Sequence, residues 1–185
     1  VAISCKMKSA DHLNAAFGAD TAGPDGLCQD MNRETLRLVR AALPATVQIQ
    51  SQLDMHMPLV RADSSQIAQV LLNLCTNACQ AMPQQKGIIR ISLSQCEVHA
   101  SDSMPDRHLT PGRYACLNVS DTGSGIDRAI VDRIFEPFFT TKPQGEGSGL
   151  GLSIVRGILD AHGGTIQVSS APGQGTTFTL TLPVA

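Results

Sequence analysis

Three groups of residues have the types and spacing to do chemistry. Asn73 and Asn77 stand four apart in NLCTNACQA (73–81), with Gln80 three further on, so a helix here would carry all three amides on one face. Asp121 ends an alternating run and is followed at once by TGSGI (122–126). A glycine-rich run, GEGSGLG (145–151), precedes LSIVRGILDAH (152–162), with Lys142 three residues ahead of it. A glycine loop that ends in a helix start can cradle phosphate, because its backbone N–H groups and the helix dipole both favour an anion. Two common versions fail on register. GxxxxGK[ST] needs a lysine directly after a glycine, and none of Lys6, Lys8, Lys86 and Lys142 has that spacing. The dinucleotide pattern GxGxxG fails because positions 150, 152 and 154 are Leu, Leu and Ile. Glycines crowd the same region, eleven of 16 lying between Gly123 and Gly175, which suits close backbone approach to a bulky charged group. Three of the six aromatics, Phe135, Phe138 and Phe139, fall between the two glycine-rich stretches.

The elements that must position these groups follow from periodicity. MNRETLRLVRAAL (31–43) has helical spacing and stops at Pro44, and TVQIQSQLD (46–54) alternates as a half-buried strand. A second short strand is expected at 57–63, and Asp63 or Ser64 makes a good N-cap for a helix over 64–82. That helix has Ile67, Val70, Leu71, Leu74, Ala78 and Ala81 as its apolar stripe. Strands follow at 88–98 and 113–121, separated by a polar loop over 99–112. A short helix is expected around 127–135, a longer one over about 149–162, and a closing hairpin from 165–170 and 175–183. Helices and strands alternate only partly, so the fold class is α/β, a two-layer sandwich in which a mixed sheet carries its helices on one face. Residues 1–26 lack periodicity and are expected to be a linker or the remnant of a preceding helical segment, with the domain running over 27–185.

Composition removes several function classes. The 185 residues suit one domain plus a tail, and 14 Lys+Arg against 16 Asp+Glu leave no excess of basic charge for nucleic acid. The six cysteines contain no CxxC pair, which excludes zinc-ribbon and thioredoxin patterns, and reduced thiols in a cytosolic setting are expected. Cys75 and Cys79 should be small buried apolar residues. No apolar run approaches the roughly 18 residues of a membrane span, and no signal peptide is present, so no membrane contact by this domain is expected. The chain begins at Val1, and it is expected to be a piece of a longer protein.

The order of an Asn-bearing helix, a strand ending in DTGSGI (121–126), FEPFFTTK (135–142) and GEGSGLGLSIV (145–155) resembles the N, G1, F and G2 boxes of sensor histidine kinases. Those boxes define the catalytic ATP-binding domain of two-component systems, with the Bergerat-type fold shared by DNA gyrase, the ninety-kilodalton heat-shock chaperone and mismatch-repair ATPases. The resemblance runs from about Leu27 to Pro183 and includes HGG (162–164) and GQGTTFTLTLP (173–183). Four motifs in the correct order make it specific.

The resemblance implies a role for each residue. Asn77 would hold Mg²⁺ between the phosphates, since an amide carbonyl is a suitable hard oxygen ligand, and Asn73, one turn earlier, would point into the same site. Asp121 would accept a hydrogen bond from the exocyclic amino group of adenine and so reject guanine, which presents a carbonyl there. Gly123, Gly125 and Ile126 would pass beside the nucleotide, and Thr176 would make a second adenine contact through water. Residues 136–148 would form the ATP lid, its glycines and prolines arguing against a stable helix. Phe138 and Phe139 would anchor the lid to the core or to a partner. Lys142 would meet the terminal phosphates, Gly147, Gly149 and Gly151 would supply N–H donors, and Leu150 would hold the loop to the core.

The implied activity is transfer of the γ-phosphate of ATP·Mg²⁺ to a histidine. A gyrase- or chaperone-type hydrolase places a glutamate base four residues before the metal Asn; Asn73 stands there, and no Asp or Glu occurs between Ser64 and Met82. An amide is a poor general base, whereas imidazole is itself a nucleophile, so the kinase reading ranks above the hydrolase and above a nucleotide-binding regulatory module. Asn73 and Lys142 are then the catalytic candidates. None of His12, His56, His99, His108 and His162 has the family's H-box context. The acceptor histidine is therefore expected on a dimerisation domain outside this chain, with a response regulator as further partner, the isolated domain monomeric and the parent homodimeric. A cytoplasmic location is expected for this domain, whether or not the parent is membrane-anchored.

Overall fold

A computed structural model describes residues 33–53, 60, 62–98, 109–143, 145 and 147–184. The expected linker over 1–26, most of the expected strand at 57–63, the loop over 99–108 and the four histidines other than His162 lie outside the described residues.

The element order is α1 (Arg33–Ala42), β1 (Val47–Leu53), α2 (Ser64–Ala81), β2 (Gly87–Val98), β3 (Gly112–Asp121), α3 (Gly151–Ala161), β4 (Thr165–Ser170) and β5 (Thr176–Pro183). The five strands form one sheet in the order β1-β2-β3-β5-β4, with β1 parallel to β2 and every other pair antiparallel. Alternation along the strands sorts the two faces. Val47 and Ile49 on β1, Ile89 and Ile91 on β2, Leu117 and Val119 on β3, and Phe178 and Leu180 on β5 share one face through the strand register. That face packs against Val39 of α1, Leu71 and Leu74 of α2, and Val155 and Leu159 of α3, which form one core. The opposite face presents Gln48, Gln50, Arg90, Ser92, Asn118, Ser120, Thr177 and Thr179. It is a two-layer α/β sandwich, as the binary pattern requires.

Helix α2 begins where Asp63 caps it. The Asp63 carboxylate accepts from the N–H groups of Ser65 at 2.8 Å and Gln66 at 3.3 Å, satisfying two donors of the first turn. His162, just past the end of α3, faces the Ile158 carbonyl through Nδ1 at 2.8 Å and accepts from the Asp63 N–H through Nε2 at 3.2 Å. This histidine ties the end of one helix to the start of another, and its ring is occupied structurally.

Four expectations differ from the structure. No α-helix forms over 127–135; the chain makes i→i+3 turns closed by Ile130 N–H to Asp127 O, Arg133 N–H to Ile130 O and Glu136 N–H to Arg133 O. The Asp127 side chain accepts from the Ala129 N–H at 2.9 Å and so starts a turn where a helix would have to propagate. Helix α3 starts at Gly151, two residues later than expected. Of the 57–63 segment, Val60 makes a single antiparallel bridge to Val184, and Ala62 and Asp63 are outside any strand. Cys96 and Cys116, expected as reduced thiols, are joined by a disulfide between β2 and β3, where Cys96 pairs with Tyr114 and Cys116 with Ser94. Cys75 and Cys79 are free and buried, and burial pushes the Cys75 thiol up to about 12. Among the described residues no helix is long and apolar enough to cross a membrane.

Candidate functional site

A cleft of about 550 Å³ opens between α2, the 136–149 segment and the start of α3, and its far end reaches the end of β3. That is within the roughly 300–1,000 Å³ of small-molecule sites. Among the described residues two charged side chains line it, Asp121 and Lys142.

Asp121 is the last residue of β3 and is buried. Both of its protein hydrogen bonds go to Oδ1, from the N–H groups of Gly123 at 2.7 Å and Thr176 at 3.3 Å. Oδ2 is left to accept from a ligand in the cleft. Burial raises its pKa, and the two N–H donors oppose that rise. The turn that follows is locked to the last hairpin. Ser170 Oγ accepts from the Ile126 N–H at 2.8 Å and contacts the Gly175 carbonyl at 2.9 Å. Gly125 has φ +72°, and a Cβ there would lie 2.0 Å from the Ala171 carbonyl oxygen. Protein packing alone thus requires glycine at this position, independently of any ligand.

Helix α2 supplies the polar wall. Asn73, Thr76, Asn77 and Gln80 line the cleft while Leu71, Leu74 and Cys75 are buried behind them. Asn73 Nδ2 is buried with no hydrogen-bond partner among the described residues. A Cβ on Gly151 would sit 3.7 Å from Asn77 Nδ2 and 3.9 Å from Asn73 Oδ1, so both amides face the start of α3. The N-cap of α3 is Leu150, which offers no side-chain acceptor to the first-turn N–H groups. Those donors and the positive end of the helix dipole are available to an anion.

The described residues of 136–149 border the cleft without forming a helix. Phe135 packs edge-on against Phe178 with ring centroids 6.5 Å apart, and Phe139 lines the cleft. Phe138 points outward and is 74% exposed. Its N–H donates to the Gly149 carbonyl at 2.9 Å, and Gly149, at φ +67°, has no room for a Cβ against the Phe138 backbone. Lys142 Nζ donates to Gln80 Oε1 across the cleft, and partial burial lowers its pKa.

Of the residues singled out from sequence, Asn73, Asn77, Asp121, Gly125, Ile126, Lys142, Gly147, Gly149, Gly151 and Thr176 all line this one cleft. Gly123 and Leu150 are not among its lining residues: the Gly123 N–H donates to Asp121, and Leu150 is the N-cap of α3. The Thr176 hydroxyl pairs with Ser170 Oγ at 3.0 Å, so its direct tie to Asp121 is the backbone N–H. Ser170, Thr140 and Ser148 were not singled out, and Gln80 was placed on the amide face without a role. The first three are ordinary loop and strand residues with no sequence signal.

A group with amino hydrogens at the Asp121 end and negative charge at the α3 end fits this arrangement. The donor set at the α3 end also fits a magnesium ion that arrives with phosphate: amide oxygens rather than carboxylates, and no cluster of three or more His, Cys, Asp or Glu among the described residues.

Comparison with known proteins agrees. The sequence model of the Histidine kinase-, DNA gyrase B-, and HSP90-like ATPase family matches residues 62–185. Sensor histidine kinase ZraS of Escherichia coli (strain K12) is 44% identical over 128 residues, which are 69% of this chain and 24% of that protein. The chain therefore spans about a quarter of the length of that relative. Among solved structures, the catalytic domain of histidine kinase ThkA superposes with a TM-score of 0.60 at 30% identity, covering 82% of this chain and 90% of that one. Full-length ShkA in complex with AMPPNP gives a TM-score of 0.63 at 26% identity, covering 84% of this chain and 30% of that one.

Proposed function

The chain belongs to the histidine kinase-, DNA gyrase B- and HSP90-like ATPases as the ATP-binding domain of a sensor histidine kinase, and on that footing we propose that it binds ATP·Mg²⁺ and transfers the γ-phosphate to a histidine outside this chain. The observation that carries the reading is the charge layout of the cleft, an anion at one end and a cation at the other. Asp121 Oδ2 accepts from the adenine amino group; a guanine carbonyl at that place would set two acceptors against each other. The first-turn N–H groups of α3 and the Lys142 ammonium meet the phosphates. Asn77, with Asn73 beside it, holds the metal by amide oxygen. Mg²⁺ supplies neutralisation of the phosphate charge.

The wall of α2 contains no carboxylate, so water has no general base there, and a histidine nucleophile needs none of comparable strength. This supports transfer over hydrolysis. The acceptor belongs to a dimerisation domain of the parent, the phosphoryl group passes on to a response regulator, and the domain works in the cytoplasm. Incubating the chain with γ-labelled ATP·Mg²⁺ and the parent's helical hairpin tests the proposal. Acid-labile label on the hairpin is expected. Free phosphate without labelled protein would point to a hydrolase, and tight ATP binding with neither product to a regulatory module.

A further inference from the structure

Among the described residues Lys142 is the only cation lining the cleft, and what holds it there is not the segment it belongs to. Its own N–H donates to Thr140 Oγ1 at 3.2 Å, a local turn that packs on Gly147. The side chain leaves that turn and crosses to α2, where Nζ donates to Gln80 Oε1, 62 positions away in sequence. Among the described residues this is the only side-chain hydrogen bond from 136–149 to α2. Gln80 follows Asn77 by three residues on the same helix face, so the bond sets the ammonium about one turn, roughly 5 Å along the axis, from the metal-holding amide.

Resting on the ATP reading above, we propose that Gln80 is a positioning residue, whose side-chain carbonyl sets the Lys142 ammonium at the terminal phosphate and so governs preference for a nucleoside triphosphate over a diphosphate. The chemistry of the partner matters. An ammonium has three N–H donors, and one bond to a neutral amide leaves two of them and the whole charge for phosphate. A carboxylate at the same position would hold the lysine equally well and cancel its charge. The amide thus orients without neutralising.

Two substitutions separate orienting from mere bracing. Gln80→Met keeps length and helix propensity but removes the acceptor; Gln80→Glu keeps the acceptor and adds a charge. Both go into the wild-type and Lys142→Met backgrounds, with thermal melting to confirm folding and calorimetric titration by ATP·Mg²⁺ and ADP·Mg²⁺. In wild-type background each is expected to weaken ATP about three- to tenfold, the range of one lost hydrogen bond, with ADP changed less than about twofold. In the Lys142→Met background Gln80→Met should not alter ATP affinity further, whereas Gln80→Glu, its carboxylate no longer neutralised by the ammonium, should weaken ATP more than ADP. Wild-type ATP affinity in Gln80→Glu, equal losses for ATP and ADP, or a Gln80→Met loss that persists without Lys142 would overturn the proposal while ATP binding itself stands. Failure of the unsubstituted chain to bind ATP would overturn the parent reading as well.

Discussion

The two ends of the cleft are built in opposite ways. At the Asp121 end the acceptor is the last residue of a central strand, buried, fixed by two backbone donors and backed by a turn that Ser170 locks to the neighbouring hairpin. At the Lys142 end the cation is half-buried, sits on a segment whose described residues form no helix or strand, and reaches its place through one long-range side-chain bond. Fixed geometry suits discrimination between bases, because an acceptor that cannot turn away makes a mismatched carbonyl costly. The described residues of that segment are mostly exposed, and such a segment opens at low free-energy cost, which suits the proposed exchange of a triphosphate for a diphosphate.

The contrast can be broken first at the fixed end. Asp121→Asn should weaken ATP by about 100-fold or more, because the amide keeps Oδ1 for the backbone donors and turns an N–H₂ toward the adenine amino group. Its thermal midpoint should not fall, since removing a buried charge relieves desolvation. Calorimetry and melting on the same sample check both. Lys142→Met should cost about tenfold for ATP, the scale of one charge-assisted hydrogen bond, and little for ADP. Equal losses for the two nucleotides would place Lys142 elsewhere than at the terminal phosphate.

A pH series sharpens the comparison with smaller effects of opposite sign. Burial raises the Asp121 pKa, so as pH falls the carboxylate protonates above the ordinary 3.8 and adenine recognition fades. The same group acts oppositely on stability: with its folded pKa above the unfolded one, its stabilising contribution is present at low pH and lost as pH rises through the folded value. At the other end burial lowers the Lys142 pKa, so the ATP-over-ADP preference should decline on the alkaline side before the ordinary lysine value of 10.5. Affinity measured by calorimetry across pH checks each limb.

Much of this was legible in the residues, for a physical reason. Helix α2 announces itself through its apolar stripe, and the same 3.6-residue period that buries Leu71 and Leu74 sends Asn73, Asn77 and Gln80 to one side. Asp121 stands at a strand end before a glycine turn, where a side chain can face a cleft. What escaped depends on distance in sequence or on competing local bonds. The Cys96–Cys116 pairing needs the β2–β3 register, and the Gln80–Lys142 bond needs the whole packing of the 136–149 segment on α2. The 127–135 stretch has helical spacing, but the Asp127 side chain takes a backbone donor locally and a succession of turns results. Gly125 and Gly149, expected beside the nucleotide, are required as glycine by the Ala171 and Phe138 backbones.

The most direct measurement is a calorimetric titration of the chain at neutral pH, in magnesium, with ATP and with GTP. Saturable binding of ATP and none of GTP at the same concentrations is expected, because with the base in the same place Asp121 Oδ2 accepts from the 6-amino group of adenine and would face the 6-carbonyl of guanine. Equal affinity for the two nucleotides, or no binding of either, would contradict the assignment of this cleft.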